Sequence, residues 1–142
     1  MKVLLDTNIL LDIVEKREPH FSDSYQIFMK SAKREIEAII GASSITDIYY
    51  VTHKNCKDAK QALGFISDML KIVSPVDTKA TDIFEAIRLD FPDFEDAVIV
   101  ATAVREKADS IISRNTDDFM NSPVPAISPK DFLKKYNPQE EA

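Results

Sequence analysis

Short apolar runs alternate along this chain with longer stretches of helical spacing. Lys2–Leu5 has the character of a buried strand, and the segment from about Thr7 to Glu15 predicts a helix directly after it. Pro19 punctuates, after which His20 to Arg34 carries helical spacing through Phe21, Tyr25, Phe28 and Ala32. Glu37 to Ala42 reads as a second buried strand and Ser44 to His53 as a helix. Lys57 to Lys71 places Ala59, Leu63, Ile66 and Leu70 on one stripe, which predicts a further helix. A short strand at Ile72–Pro75 and a helix at Thr78–Leu89 follow, then a strongly apolar helix at Asp93–Lys107. Ser110–Ser113 and Val124–Ile127 read as the last strands. The closing helix starts at Ser128-Pro129, an N-cap followed by Pro at the first helical position. Strands alternating with helices predict an α/β fold, a parallel sheet with helices on both faces. The domain is expected to span residues 1–136, with a disordered tail at 137–142 (NPQEEA). In such a sheet ligands bind outside the carboxyl ends of the strands, and Asp6 ends the first one.

The composition changes this picture little. Of the 142 residues, 44% are hydrophobic and 30% charged, as in an ordinary folded domain with a single core. A net charge of -6 argues against binding polyanions with the whole surface, but leaves room for a local site that handles phosphates through cations. Cys56 is the only cysteine, so neither an internal disulfide nor a cysteine-based zinc site is expected. No apolar run approaches the roughly 20 residues that span a bilayer. Asp6 and Asp12 interrupt any signal-peptide core, so a soluble, cytoplasmic location without membrane contact is expected.

The candidate chemistry lies in acids at strand-to-helix junctions: LLDTN (Asp6), ASSITDIYY (Asp47), FPDFEDAVIVATA (Asp93, Glu95, Asp96) and IISRNTDDF (Asn115, Asp117, Asp118). Three of these fit a capping pattern, Ser44-x-x-Asp47, Asp93-x-x-Asp96 and Asn115-x-x-Asp118. It recurs at Ser128-x-x-Asp131, where no chemistry is expected, so spacing alone decides nothing. Two details point past capping. Asp6 fits no such box, because Ile9 stands three positions on. Asp96 heads the buried stripe of its helix, with Ile99, Val100 and Ala103 at i+3, i+4 and i+7, and no Lys or Arg is near in sequence to pair with it. Inward carboxylates on one sheet edge raise one another's pKa unless a divalent cation relieves them. An incomplete set of oxygen ligands suits Mg²⁺ or Mn²⁺ and, with them, metal-assisted phosphodiester hydrolysis.

DTNILLDI, ASSITDIYY, DFEDAVIVATA and IISRNTDDF, in this order over almost the whole chain, resemble the PIN domain, whose members include the ribonuclease toxins of VapBC-type toxin–antitoxin pairs. The resemblance implies a three-layer α/β/α sandwich on a parallel sheet of about five strands, with acids converging at its carboxyl edge. It implies a catalytic set of Asp6, Asp47, Asp96, Asn115 and Asp118, with Asp6 and Asp96 as the main ligands of Mg²⁺ or Mn²⁺ and Asp47 and Asn115 as further ones. Asp47 falls where many members have Glu. Asn115, Asp117 and Asp118 all remain candidates for the fourth position, and one metal or two is left open. Thr7, Asn8 and Ser113 would support the acids by hydrogen bonds, and Arg114 is a candidate phosphate contact. RNA is the implied substrate. Leu10, Leu11, Ile13 and Val14, with Phe21 and Phe28, exceed what one helix face needs and offer a homodimer surface or a groove for an antitoxin helix.

Two other enzyme classes also end a first strand on Asp. A haloacid-dehalogenase-like phosphatase needs a second Asp two residues on, where this chain has Asn8. A response-regulator receiver needs an acidic pair that KVLLDTN lacks. A non-catalytic PIN-like binding module is the remaining alternative.

Overall fold

The computed structural model describes residues 1–136; the predicted tail lies outside the described residues. The elements run β1 (Lys2–Leu5), α1 (Thr7–Val14), α2 (Phe21–Ala32), β2 (Glu37–Gly41), α3 (Ala42–Cys56), α4 (Ala59–Met69), β3 (Ser74–Val76), α5 (Ala80–Leu89), α6 (Phe94–Arg105), β4 (Ser110–Ile112), β5 (Ala126–Ile127) and α7 (Pro129–Lys135). The five strands form one sheet in the order β3-β2-β1-β4-β5, and every pair is parallel. The pleat divides the apolar runs between two cores. Val3, Leu5, Ala38, Ile40 and Ile112 enter one, with Ile9, Leu10, Ile27, Ile48 and Phe132 from the helices. Leu4, Ile39 and Ile111 enter the other, with Val100 and Ala103 of α6. Because both faces are covered, these strands are continuous apolar runs rather than alternating ones. The chain therefore has the expected α/β/α layering on five parallel strands.

The order reverses at β1, whose neighbours are β2 on one side and β4 on the other. The carboxyl ends of β1 and β4 thus flank the crevice where an open α/β sheet binds its ligands.

Several boundaries differ from the sequence-based expectation. β3 begins at Ser74, because the Ile72 and Val73 N–H groups donate to the Met69 carbonyl and close the end of α4 (3.0 and 2.9 Å). β5 shortens to Ala126–Ile127, because Ser122 Oγ donates to the Val124 carbonyl and holds that stretch in a turn (2.6 Å). α3 starts at Ala42, with Gly41 in the cap position. Ser44 is therefore buried inside the first turn, and the expected Ser44-x-x-Asp47 box does not form. Asn115 makes no side-chain cap either, and Thr116–Phe119 is a 3₁₀ turn. The caps at Asp93 and Ser128 do form, accepting from the N–H of Asp96 (3.0 Å) and Asp131 (3.1 Å). Much of the surplus apolar surface on α1 is used internally. Leu10 is buried, and Leu11, Ile13, Val14 and Phe28 pack half-buried against the same core.

An ion pair clamps α5 to α6. Arg105 Nε and Nη2 donate to the two oxygens of buried Asp82 (2.9 and 3.0 Å), and Nη2 also reaches the Asp77 carbonyl (2.6 Å). Burial opposes ionisation of Asp82, but the Arg105 bonds and the Lys79 N–H outweigh it and hold its carboxyl below the ordinary value. Arg105→Met is expected to cost about 1.5–3 kcal/mol at pH 7, the range for hydrogen bonds to a charged group, as read by urea unfolding. A depressed carboxyl stabilises the fold above its unfolded pKa and loses that contribution as pH falls through its folded value. The gap between the wild type and this variant should accordingly close in acid.

Candidate metal centre at the sheet switch point

Asp6 follows β1 and caps α1. Its extended backbone (φ -66°, ψ 149°) turns the chain, and Oδ1 accepts from the Thr7 N–H at 2.8 Å. The cap uses the next residue's N–H rather than the third, which is why no box pattern announces it. Its own N–H donates to the Ile112 carbonyl of β4 (2.9 Å), so both sides of the switch point hold it. Oδ2 accepts from Ser113 Oγ (2.7 Å) and Asn8 Nδ2 (3.3 Å). Ser113 is fully buried, and its Oγ also accepts from the Asn115 N–H (3.0 Å), which ties the start of the 3₁₀ turn to the same site. Thr7, Asn8 and Ser113 therefore stand where supporting residues were expected.

A hollow of about 700 Å³ opens over this edge. It gathers Asp6, Asp47, Asp96, Asn115 and Asp118 from four separate segments, with Thr7 and Asn8 beside them. Asp117 does not line it, which favours Asn115 and Asp118 for the fourth position. Exposure is graded: Asp6 is buried, Asp96 half-buried, and Asp47, Asn115 and Asp118 are open to solvent.

Burial pushes the Asp96 carboxyl up to about 7, and the nearby charges of Asp93, Asp6, Asp118 and Glu95 add to the shift. Asp6 is raised too, chiefly by burial and further by Asp118, while Ser113, the Thr7 N–H and Arg114 pull it back. The site thus holds carboxylate repulsion that the Asp6 hydrogen bonds and the charge of Arg114 do not cancel.

Among the described residues no three His, Cys, Asp or Glu side chains stand close enough to form a ready-made cage. That does not suit Ca²⁺, which takes six to eight oxygens. It does suit Mg²⁺, which uses one or two carboxylates and keeps its waters. Asn8 Oδ1, buried and without a hydrogen-bond partner, adds an oxygen acceptor that a hydrated cation would satisfy. The donor set therefore fits Mg²⁺ or Mn²⁺, with Asp6 and Asp96 as candidate ligands and Asp47 lining the same hollow.

Arg114 departs from its expected role. Its Nε donates to Asp12 Oδ2 (2.7 Å) on α1, and it is absent from the lining of the hollow. Asp12 is completely buried, and its Oδ2 also accepts from Ser24 Oγ (3.2 Å). Sequence reasoning passed over Asp12. The signal was available, since an acid between Leu11 and Ile13 inside an apolar helix poses the same problem as Asp96.

An open parallel sheet with carboxylates gathered at its switch point defines a class of acid-site α/β proteins. The chain belongs to the PIN domain family, whose model matches residues 2–117. It is 26% identical over 141 residues to ribonuclease VapC1 of Aquifex aeolicus, covering 96% of both chains. Its fold is similar to that of a toxin–antitoxin complex from Klebsiella pneumoniae, with a TM-score of 0.66 at 22% identity, covering 89% of this chain and 97% of that one. It is also similar to VapBC2 of Rickettsia felis bound to a promoter DNA fragment, with a TM-score of 0.69 at 18% identity, covering 90% and 98%.

Two outcomes follow. Arg114→Met removes the arginine hydrogen-bonded to buried Asp12, leaving only Arg17 Nη1 at 3.9 Å, and is expected to cost about 3 kcal/mol in urea unfolding, as breaking buried pairs does. For Asp96, the folded group holds its proton up to about 7, whereas the unfolded chain releases it near 3.9. Between those values the native state binds more protons, so this group makes stability fall as pH rises. In EDTA, Asp96→Asn should therefore be the more stable form at pH 8, and thermal unfolding should show a flatter profile for it between pH 5 and pH 8.

Proposed function

We propose that this PIN-domain chain is a Mg²⁺- or Mn²⁺-dependent endoribonuclease, the toxin of a toxin–antitoxin pair working in the cytoplasm. The observation that carries the reading is the set of mutually repelling carboxylates sharing one hollow, with Asp6 and Asp96 both raised by burial and by their neighbours' charge. Ribonuclease VapC1 supports RNA as substrate, and the toxin–antitoxin complexes among the similar structures support an antitoxin partner. A homodimer is part of the same reading. Among the described residues no helix is long and apolar enough to cross a membrane.

In this mechanism Asp6 and Asp96 would hold the cation, and Ser113, Asn8 and the Thr7 N–H keep the Asp6 carboxylate fixed. The cation would supply Lewis acidity, lowering the pKa of a water and offsetting charge on the phosphoryl oxygens. Asp47, exposed at the rim, orients that water or takes its proton, while Asn115 and Asp118 complete the other side. Water attacks phosphorus and the bond to the 3′-oxygen breaks, leaving a 5′-phosphate and a 3′-hydroxyl.

The test is cleavage of a fluorescent single-stranded RNA pool with Mn²⁺ or Mg²⁺, run alongside EDTA and the variants Asp6→Asn and Asp96→Asn. Cleavage should require the metal and fall at least about 100-fold in each folded variant, the scale of losing one group that stabilises transition-state charge. Cleavage surviving either substitution would remove these residues from the site. A chain that neither cleaves nor binds Mn²⁺ would be a binding module on the PIN fold.

A further inference from the structure

A second, smaller hollow of about 310 Å³ adjoins the acid site and shares Asp93, Asp96 and Asp118 with it. Those three acids form the wall between the two. An RNA phosphate held at that wall has one neighbouring nucleotide on the side of the smaller hollow. We propose that this hollow is a base subsite for a nucleotide flanking the scissile phosphate, and that it selects bases carrying an exocyclic amino group. The proposal rests on the ribonuclease reading of the acid site.

The walls suit a flat, neutral group. Leu89, Phe91, Pro92 and Met120 supply apolar surface. The remaining lining residues, Asp90, Asp117 and Asn121, carry side-chain oxygens. A phosphate would meet carboxylates here and be repelled, whereas an uncharged ring would not. The volume lies at the small end of ligand pockets, about 300–1,000 Å³, and is ample for one base.

Both walls are anchored from behind. On one side Asp90 ends α5 in the left-handed region (φ 54°), Pro92 stiffens the loop, and Phe91 packs half-buried against both Val100 of the main core and the α5–α6 seam. On the other, buried Phe119 roots the 3₁₀ turn, and the Ser122 N–H donates to its carbonyl (3.0 Å). Met120, next in the chain, is nevertheless 79% exposed. A thioether is a soft, adaptable surface for an aromatic ring, so an exposed methionine at the mouth is explained by a base packing on it.

The polar lining sets the preference. Carboxylates accept and cannot donate, so they match the amino groups of adenine, cytosine and guanine. Uracil has no amino group, and its one ring N–H on the pairing edge lies between two carbonyl oxygens that the carboxylates repel. Asn121 is the one amide among the lining residues and completes the match to a base edge.

Two measurements test this. With RNAs that differ only at the bases next to the cleaved bond, one flanking position should favour A, C or G over U in kcat/KM by at least about tenfold, the low end for one hydrogen bond to a charged group. Asp90→Asn and Asp117→Asn, which replace an acceptor-only group by one that also donates, should bring that ratio toward one, and Met120→Ala should lower kcat/KM for the preferred bases. Separately, with methionine methyl groups ¹³C-labelled, adenosine or cytidine should shift the Met120 resonance more than uridine does, while buried Met69 stays still. Wild-type cleavage with no base preference at either flank, or with an unmoved Met120 resonance, would overturn the subsite alone. Absence of metal-dependent cleavage by the wild type would overturn the ribonuclease reading and the subsite with it.

Discussion

Everything at this site depends on keeping a carboxylate, Asp6, out of water at the place where the sheet changes direction. The position is forced, because Asp6 follows the buried Val3–Leu5 of β1 and starts a helix while its N–H completes the ladder to β4. Ser113, Asn8 and the Thr7 N–H give its oxygens partners, yet burial still outweighs them. Removing a carboxylate from water is offset only by opposite charge or several strong donors. Here the neighbours are further acids, so the crevice is primed to attract a cation.

Other buried acids are treated differently. Asp82 and Asp12 are each nearly or wholly buried, and each has an arginine, Arg105 and Arg114, within 3 Å. Those pairs fasten α5 to α6 and the β4 exit to α1. Among the described residues, the acids lining the hollow have no such partner. A carboxylate paired with an arginine serves the fold, even where one oxygen, as Asp12 Oδ1, keeps no hydrogen-bond partner, whereas one left among other carboxylates is available for chemistry. Arg114 also bears on the site from a distance, since its charge lowers the proton affinity of Asp6 while its Nε holds Asp12.

The graded exposure of the acids gives the site its order. Asp6 is fixed by both strands, Asp96 by a helix whose first turn Asp93 caps, and Asp47, Asn115 and Asp118 stand at the open rim. A floor held this firmly costs little reorganisation when a charged ligand arrives, and the rim adapts to what is brought. Chains only 18–22% identical share this fold. That is expected where the requirement is apolar strands in a fixed order with acids at their carboxyl ends.

The element types were written in local pattern. Apolar runs of four or five residues can only be buried strands here, and Asp96 above Ile99, Val100 and Ala103 can only face inward, so the parallel sheet, its flanking helices and the main acids were legible. The ends of elements were not. Ser44-x-x-Asp47 and Ser128-x-x-Asp131 look alike, but only the second caps a helix, because α3 starts two residues earlier and takes Ser44 into its first turn. Nor could local pattern supply strand order, which at the β1–β4 pair joins residues more than a hundred positions apart. Tertiary structure alone put Ser113 against Asp6, turned Arg114 from the expected phosphate contact to Asp12, kept Asp117 off the main hollow, and opened the smaller one beside it. The sequence by itself determined which residues had to be inside. The fold decided which buried charges were given partners, because a partner is set by distance in space and not along the chain.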